Sequence, residues 1–213
     1  MGGNMSYFID EENDFTVYEA PKNGGTTLRL WICFAGTGEL IKSSESEYYA
    51  GTDETYRMLQ EWGYKNGKFA STETSRKICI KRDPVSRFIS CFYDKVIKEG
   101  RLKVTIDDFI DNFDDILKKH PDKMNDGKTK YMKFHFAPQT YHFGDSVDYY
   151  DSVFDIKDVN TKLKKYLEDR WNIGLPQLHA RNNGLNKFDL TTSQIKKIKL
   201  IYNQDYENGW CND

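Results

Sequence analysis

The sequence predicts an α/β fold in three layers, a central, mainly parallel sheet flanked by helices. Two observations carry that expectation. Short segments that alternate apolar and polar residues recur between longer segments with the i, i+3, i+4, i+7 apolar stripe of an amphipathic helix. Turns rich in glycine or marked by proline follow two of the expected strands, at the carboxyl ends where sheets of this class place their ligands. A chain of 213 residues has the length of one domain, 1–213, and can bury a core without disulfide staples.

The first strand is expected at Phe15–Glu19, where Phe15 and Val17 alternate with polar neighbours. Residues 1–14 are polar and acidic and are expected to form a flexible N-terminal segment. After Pro21-Lys22-Asn23-Gly24-Gly25-Thr26-Thr27, the run Leu28–Ala35 is apolar almost all round and reads as a buried helix. Between residues 36 and 75 only Thr55–Trp62 has a helical pattern.

Lys77–Ile80 reads as a buried strand, and Asp83-Pro84 as the cap and first residue of the next helix. That helix carries Val85, Phe88, Ile89, Phe92 and Val96 on one face. A further helix is expected from Thr105 to the residue before His120-Pro121, and Asp122–Lys130 as a loop. His135 falls in what reads as an aromatic strand. A strand is expected within Tyr149–Ile156, followed by a helix capped by Asp158. Leu175–Asp189 reads as a long loop, and Thr191 with Gln194 as a capping box opening the last helix.

Composition narrows the function. Thirty-one basic against 33 acidic side chains give a formal charge of -2, which argues against a dedicated nucleic-acid binder. No apolar run reaches the roughly 18 residues of a membrane span, and the N-terminus lacks a signal-peptide apolar region. The expectation for the chain as it stands is a soluble, cytoplasmic protein. Its four cysteines show neither CxxC pairing nor metal-ligand spacing with histidine, so they read as reduced, buried thiols, and no metal is expected.

Two loops carry chemistry. In Pro21–Thr27, Gly24 and Gly25 let backbone N–H groups approach an anion, Thr26 and Thr27 add hydroxyls at a helix start, and Lys22 adds a point charge. The strand, Gly-rich loop and helix make a P-loop-like arrangement, although lysine precedes the glycines and GxxxxGK[ST] is absent. An ordinary Gly turn before a core helix is the plainer reading. In Arg82–Ser90, Arg82 stands at a strand exit and Ser90 two helical turns later, a pair suited to gripping a phosphate from two sides. A capped helix with a polar outer face is again the plainer reading. Two such loops in one chain, each after a strand, favour phosphate.

Pro21-Lys22-Asn23-Gly24-Gly25-Thr26-Thr27-Leu28 resembles the 5′-phosphosulfate loop of sulfotransferases that use 3′-phosphoadenosine 5′-phosphosulfate (PAPS). Arg82-Asp83-Pro84-Val85-Ser86-Arg87-Phe88-Ile89-Ser90 resembles their 3′-phosphate motif, with arginine and serine eight residues apart. His135-Phe136-Ala137-Pro138-Gln139, and Leu175-Pro176 followed by Asn182 or Asn183 and a closing helix with Tyr202 and Asp205, resemble the Golgi carbohydrate branch. The filling Asn23-Gly24-Gly25 is unusual for that loop.

The resemblance implies in-line transfer of a sulfuryl group from PAPS to a hydroxyl or amine, on a carbohydrate acceptor, with 3′-phosphoadenosine 5′-phosphate (PAP) released and no metal. It implies Lys22 as the cation on the leaving phosphate and residues 22–27, Arg82 and Ser90 as nucleotide ligands. Arg181 and Asn182, in the long loop, are implied to close over the nucleotide. The general base stays open between Glu47 or Glu45, in Ser43-Ser44-Glu45-Ser46-Glu47, and His135. That acidic stretch resembles the one that holds the base in some heparan enzymes. Trp62, Tyr48, Tyr49 and Tyr141 suit stacking on a sugar or adenine, and Lys128, Lys130 and Lys133 suit steering an anion, though core or rim positions for the aromatics and a solvated face for the lysines are the plainer reading. A nucleotide kinase-like phosphotransferase and a non-catalytic nucleotide-binding module of related fold are the alternatives.

Overall fold

Among the described residues five strands form one sheet: β1 (Asn4–Asp10), β2 (Phe15–Glu19), β3 (Tyr64–Lys68), β4 (Arg76–Lys81) and β5 (Ser152–Asp155), in the order β3-β1-β2-β4-β5. The computed structural model describes residues 4–40, 53–68, 74–119, 132–178 and 188–211. β2, β4 and β5 run parallel, with Val17 opposite Ile78 and Cys79 opposite Val153. β1 is antiparallel to both β2 and β3, so the sheet is mixed, with its parallel half under the two chemistry-bearing turns.

Residues 1–14 are therefore not simply a flexible segment, because Asn4–Asp10 is a sheet strand. Tyr7 and Phe8 each bury against opposite faces of the sheet, which the acidic composition of the segment concealed. The β1–β2 turn is closed by Asp10, whose carboxylate accepts from the Asn13 backbone N–H at 2.9 Å.

Both faces of the sheet are covered, which makes three layers. On one face Phe15, Val17, Ile78 and Ile80 pack under α1 (Gly25–Thr37), α2 (Asp53–Glu61) and α8 (Lys164–Trp171). On the other, Tyr7, Tyr18 and Cys79 pack under Phe143, Tyr150 and Trp210, from α7 (Gln139–Phe143) and the segments near residues 150 and 210. Every residue of β2 is buried, as a strand covered on both faces requires.

A separate core joins α3 (Pro84–Phe92), α4 (Ile106–Asp111), α5 (Phe113–Lys119), α6 (Met132–Phe136) and α9 (Thr192–Ile201), where Phe88, Phe92, Phe109 and Phe136 meet. A short α10 (Asn203–Glu207) follows. The α3 stripe continues as a run of π-helix, Tyr93–Lys98, which buries both Lys95 and Val96.

Three local expectations change. The helix from Thr105 divides at Asn112, whose side-chain amide donates to the Asp108 carbonyl at 3.0 Å and diverts the backbone. Asp158 does not cap with its side chain; its carboxylate pairs with Lys162 at 2.9 Å, and Asp155 caps the preceding 3₁₀ turn instead. His135 lies on helix α6, not on a strand, because Met132 and Phe136 at i and i+4 bury one helical face. The capping box of Thr191 and Gln194 is present in both directions, at 2.8 and 3.2 Å.

Candidate functional site

β2 ends at Glu19 and the chain turns through Ala20, Pro21 and Lys22 before α1 begins. Lys22 has a φ of 69° and Gly24 one of 88°, so two left-handed residues bracket Asn23. The lysine adopts a backbone that ordinary side chains disfavour, a feature found where surrounding structure dictates it. Its ammonium meets the Asp94 carboxylate at 3.1 Å.

α1 starts without a side-chain cap and without an acid in its first turn. Its first backbone bond runs from Leu28 N–H to the Gly24 carbonyl at 3.1 Å. An uncapped N-terminus carries unpaired donors and a partial positive charge. Thr26 is exposed there and Thr27 buried.

The two glycines have packing reasons of their own. A Cβ on Gly24 would sit 3.0 Å from Ile156 Cδ1, on a backbone that already needs glycine. A Cβ on Gly25 would overlap the Glu19 carboxylate. Glu19 is held there by Arg29 at 2.5 Å and by the Tyr64 hydroxyl at 3.2 Å. Asn23 is fully buried, and its amide donates to the Ile80 carbonyl at 2.7 Å and to Gln139 Oε1 at 2.8 Å. Its side chain therefore staples the loop to the end of β4.

Arg82 follows β4 directly and is 8% exposed. Its Nη1 donates to the Lys22 carbonyl at 2.7 Å, joining the two turns. Its Nε has no partner among the described residues. Burial pulls the guanidinium below its ordinary pKa, though an arginine stays charged at any physiological pH. Asp83 caps α3 by accepting from the Ser86 N–H at 2.7 Å, with Pro84 at the first helical position. Ser90 is buried in the same helix.

Arg87, also buried, gives Nε to the Pro21 carbonyl at 3.1 Å and Nη2 to the His135 carbonyl at 3.0 Å. The His135-to-Gln139 segment thus becomes the third wall. Gln139 pairs reciprocally with the Arg82 backbone, both bonds at 2.8 Å. Asp205 accepts from the N–H groups of Gln139 and Thr140 at 2.9 and 2.8 Å. His135 itself is half-buried, its ring edge-on to Phe134.

Burial tends to keep the Asp94 carboxyl neutral, but the charges of Lys22 and Lys95 outweigh it and hold its pKa below the ordinary value. Burial pushes the thiols the other way, Cys211 up to about 12 and Cys91 upward, which fits inert reduced cysteines.

The structure therefore brings Lys22, residues 23–27 and Arg82 together, with Ser90 two turns along α3. Glu45, Glu47, Arg181 and Asn182 lie outside the described residues, as do Tyr48, Tyr49, Lys128 and Lys130. The sequence alone does not single out Arg87, Asp94 or the Gln139 side chain that clamps Arg82 and Asn23. Arg87, Ser90 and Asp94 stand at i, i+3 and i+7, one helical face, which was the available signal. Among the described residues no group of three or more His, Cys, Asp or Glu could hold a metal, and no helix is long and apolar enough to cross a membrane.

The model of the sulfotransferase family matches residues 5–208. No curated protein and no solved structure matches the chain.

Proposed function

The chain belongs to the sulfotransferase family, in its Golgi carbohydrate-type branch, and from that premise we propose that it moves a sulfuryl group from PAPS to a hydroxyl or amine of a carbohydrate acceptor. One observation carries the reading. The Arg82 guanidinium bonds to the Lys22 carbonyl at 2.7 Å, so the two phosphate-type turns are one unit built on adjacent parallel strands.

The residues present suit a nucleotide with two separated anionic ends. A buried guanidinium with a spare donor calls for an acceptor. An uncapped helix start beside a lysine does the same for a second anion. In this reading Arg82 and Ser90 hold the 3′-phosphate. The N–H groups of residues 24–27, the Thr26 and Thr27 hydroxyls and Lys22 hold the 5′ end, and Asn23 serves by keeping the loop in shape. PAPS supplies the activated sulfuryl group.

The work left to the protein is positioning and charge. Lys22 faces the charge that appears on the leaving phosphate, and donors preset for such charge contribute about 3–4 kcal/mol. A base takes the acceptor proton, with Glu45, Glu47 and His135 as its candidates. Arg181 and Asn182 close over the nucleotide. No step requires a metal, so the reaction is expected to run in the presence of a chelator.

Calorimetric titration with PAP, alongside AMP and ATP, tests the reading. Expected is binding that needs the 3′-phosphate and weakens by roughly 10-fold or more in Arg82→Ala, the loss of a charge-assisted contact. Absence of PAP binding by the folded protein would overturn it, and binding of PAP without turnover on any acceptor would make the chain a non-catalytic module.

A further inference from the structure

Among the described residues Lys22 pairs with one carboxylate, and that carboxylate has a second cation of its own. Asp94 Oδ2 accepts from Lys22 Nζ at 3.1 Å and from Lys95 Nζ at 3.2 Å, so a single oxygen sits between two ammonium groups. Lys95 is held in turn by Glu99 at 2.5 Å, and Glu99 also pairs with Arg101. Five charges alternate in sign from Lys22 to Arg101, and the side chains of Lys22, Asp94 and Lys95 are at most 20% exposed. Three cations against two anions leave one positive charge over.

The backbone explains how these groups meet. α3 ends at Phe92 and the chain continues in π-helical turns from Tyr93 to Lys98. Within that segment the adjacent Asp94 and Lys95 pair at 3.2 Å, with Lys95 buried beside Val96. Such departures from α-helix concentrate at functional sites because they re-aim side chains. At the other end, Lys22 has a left-handed backbone and its side chain reaches Asp94 in the π-helical segment.

We propose that Lys22 is a transferable cation: Asp94 holds it, the 5′ end of the nucleotide takes it, and Lys95 keeps Asp94 paired once Lys22 has gone. Asp94 and Lys95 are then positioning residues that set the affinity of the loop for its anion. This rests on the nucleotide reading given above. The physical reason is the cost of an unpaired buried charge. A lysine whose only counter-ion would be stranded by its departure is a structural ion pair. A lysine whose counter-ion has a second, equally close partner can leave cheaply.

Opposite signs for two neighbouring substitutions follow. Asp94→Asn removes the competitor for Lys22 and a negative charge near the incoming anion, so PAP should bind more tightly, by roughly three- to tenfold. Lys95→Met makes Lys22 the sole partner of Asp94, so PAP should bind more weakly by a similar factor. Adenosine 3′-monophosphate, which lacks the 5′-phosphate, should change in neither variant. In a Lys22→Ala background Asp94→Asn should tighten PAP clearly less, by only the part that comes from the lost negative charge.

The measurement is calorimetric titration of the full chain and each variant with PAP and with adenosine 3′-monophosphate, with a thermal melt to establish folding. An unchanged or weaker PAP affinity in Asp94→Asn, or equal tightening toward both nucleotides, would overturn the proposal while wild-type PAP binding leaves the nucleotide reading standing. Failure of the wild type to bind PAP would remove both. If Asp94→Asn does not fold, Lys95→Met decides alone, since a merely structural lysine would not weaken PAP while sparing adenosine 3′-monophosphate.

Discussion

α1 begins on Gly24 in the left-handed region with no side-chain hydrogen bond at its cap, whereas α3 begins on Asp83, whose carboxylate caps the Ser86 N–H at 2.7 Å. Both helices follow parallel strands and both open at the candidate site. α3 has its N-terminal donors partly satisfied and a negative charge in place, so an anion there must be met by the side chains of Arg82 and Ser90. α1 offers its backbone. One site therefore contains two ways to hold a phosphate, a side-chain grip and a backbone cradle, and the choice is made by what stands at the cap position.

The largest expected effect separates binding from turnover at the open end. Lys22→Ala should bind PAP but turn over at least about 10²-fold more slowly, the loss of about 3–4 kcal/mol of charge stabilisation. Initial rates on any acceptor that the wild type sulfates, set against PAP titration, check it. Normal turnover would remove Lys22 from the chemistry and leave the cradle as a binding device only.

Next comes the frame that both ends share. Asp205 accepts from the Gln139 and Thr140 N–H groups, and Gln139 clamps the Arg82 backbone and Asn23 together. Asp205→Ala leaves those buried donors unpaired, and roughly 2–4 kcal/mol of stability should go with them. A denaturant titration reads this directly. A loss confined to PAP affinity, with stability intact, would mean that the frame acts on the ligand and not on the fold.

The contrast between the two helix starts was only half legible in the sequence. Asp83-Pro84 announces a capped helix because both residues act locally, through side-chain reach and a fixed φ. The α/β class and the parallel core of the sheet were legible for the same reason, since periodicity at Val17 and at Ile78 to Ile80 reports burial directly. The uncapped start of α1 was legible as glycine content, but the reason for Gly25 was not. Its missing Cβ leaves room for Glu19, a buried carboxylate tied to Arg29 and Tyr64 across three elements. Asn23 read as part of a cradle because it lies inside the loop motif, yet its amide is spent on Ile80 and Gln139, far along the chain. Residues 1–14 looked flexible because composition averages over faces, and a seven-residue strand needs only a few inward side chains. Asp94 went unnoticed because its partner lies in another loop, although its spacing from Arg87 and Ser90 was available.

The smallest effects test the cap argument itself, through a pair of substitutions expected to move in opposite directions. Asp83→Ala removes the α3 cap and should cost about 1 kcal/mol of stability. PAP affinity should hold or rise, because the side-chain grip of Arg82 and Ser90 remains and a nearby negative charge has gone. Thr26→Glu places an acid on the exposed first turn of α1, which should add roughly 0.3–1 kcal/mol through the helix dipole. The same carboxylate would occupy the field intended for the 5′ anion, so PAP should weaken while adenosine 3′-monophosphate does not. Thermal melts and paired titrations supply all four quantities. If Thr26→Glu stabilises the fold and leaves PAP affinity unchanged, the open end of α1 is a surface helix start, and the backbone cradle must be given up in favour of the side-chain grip alone.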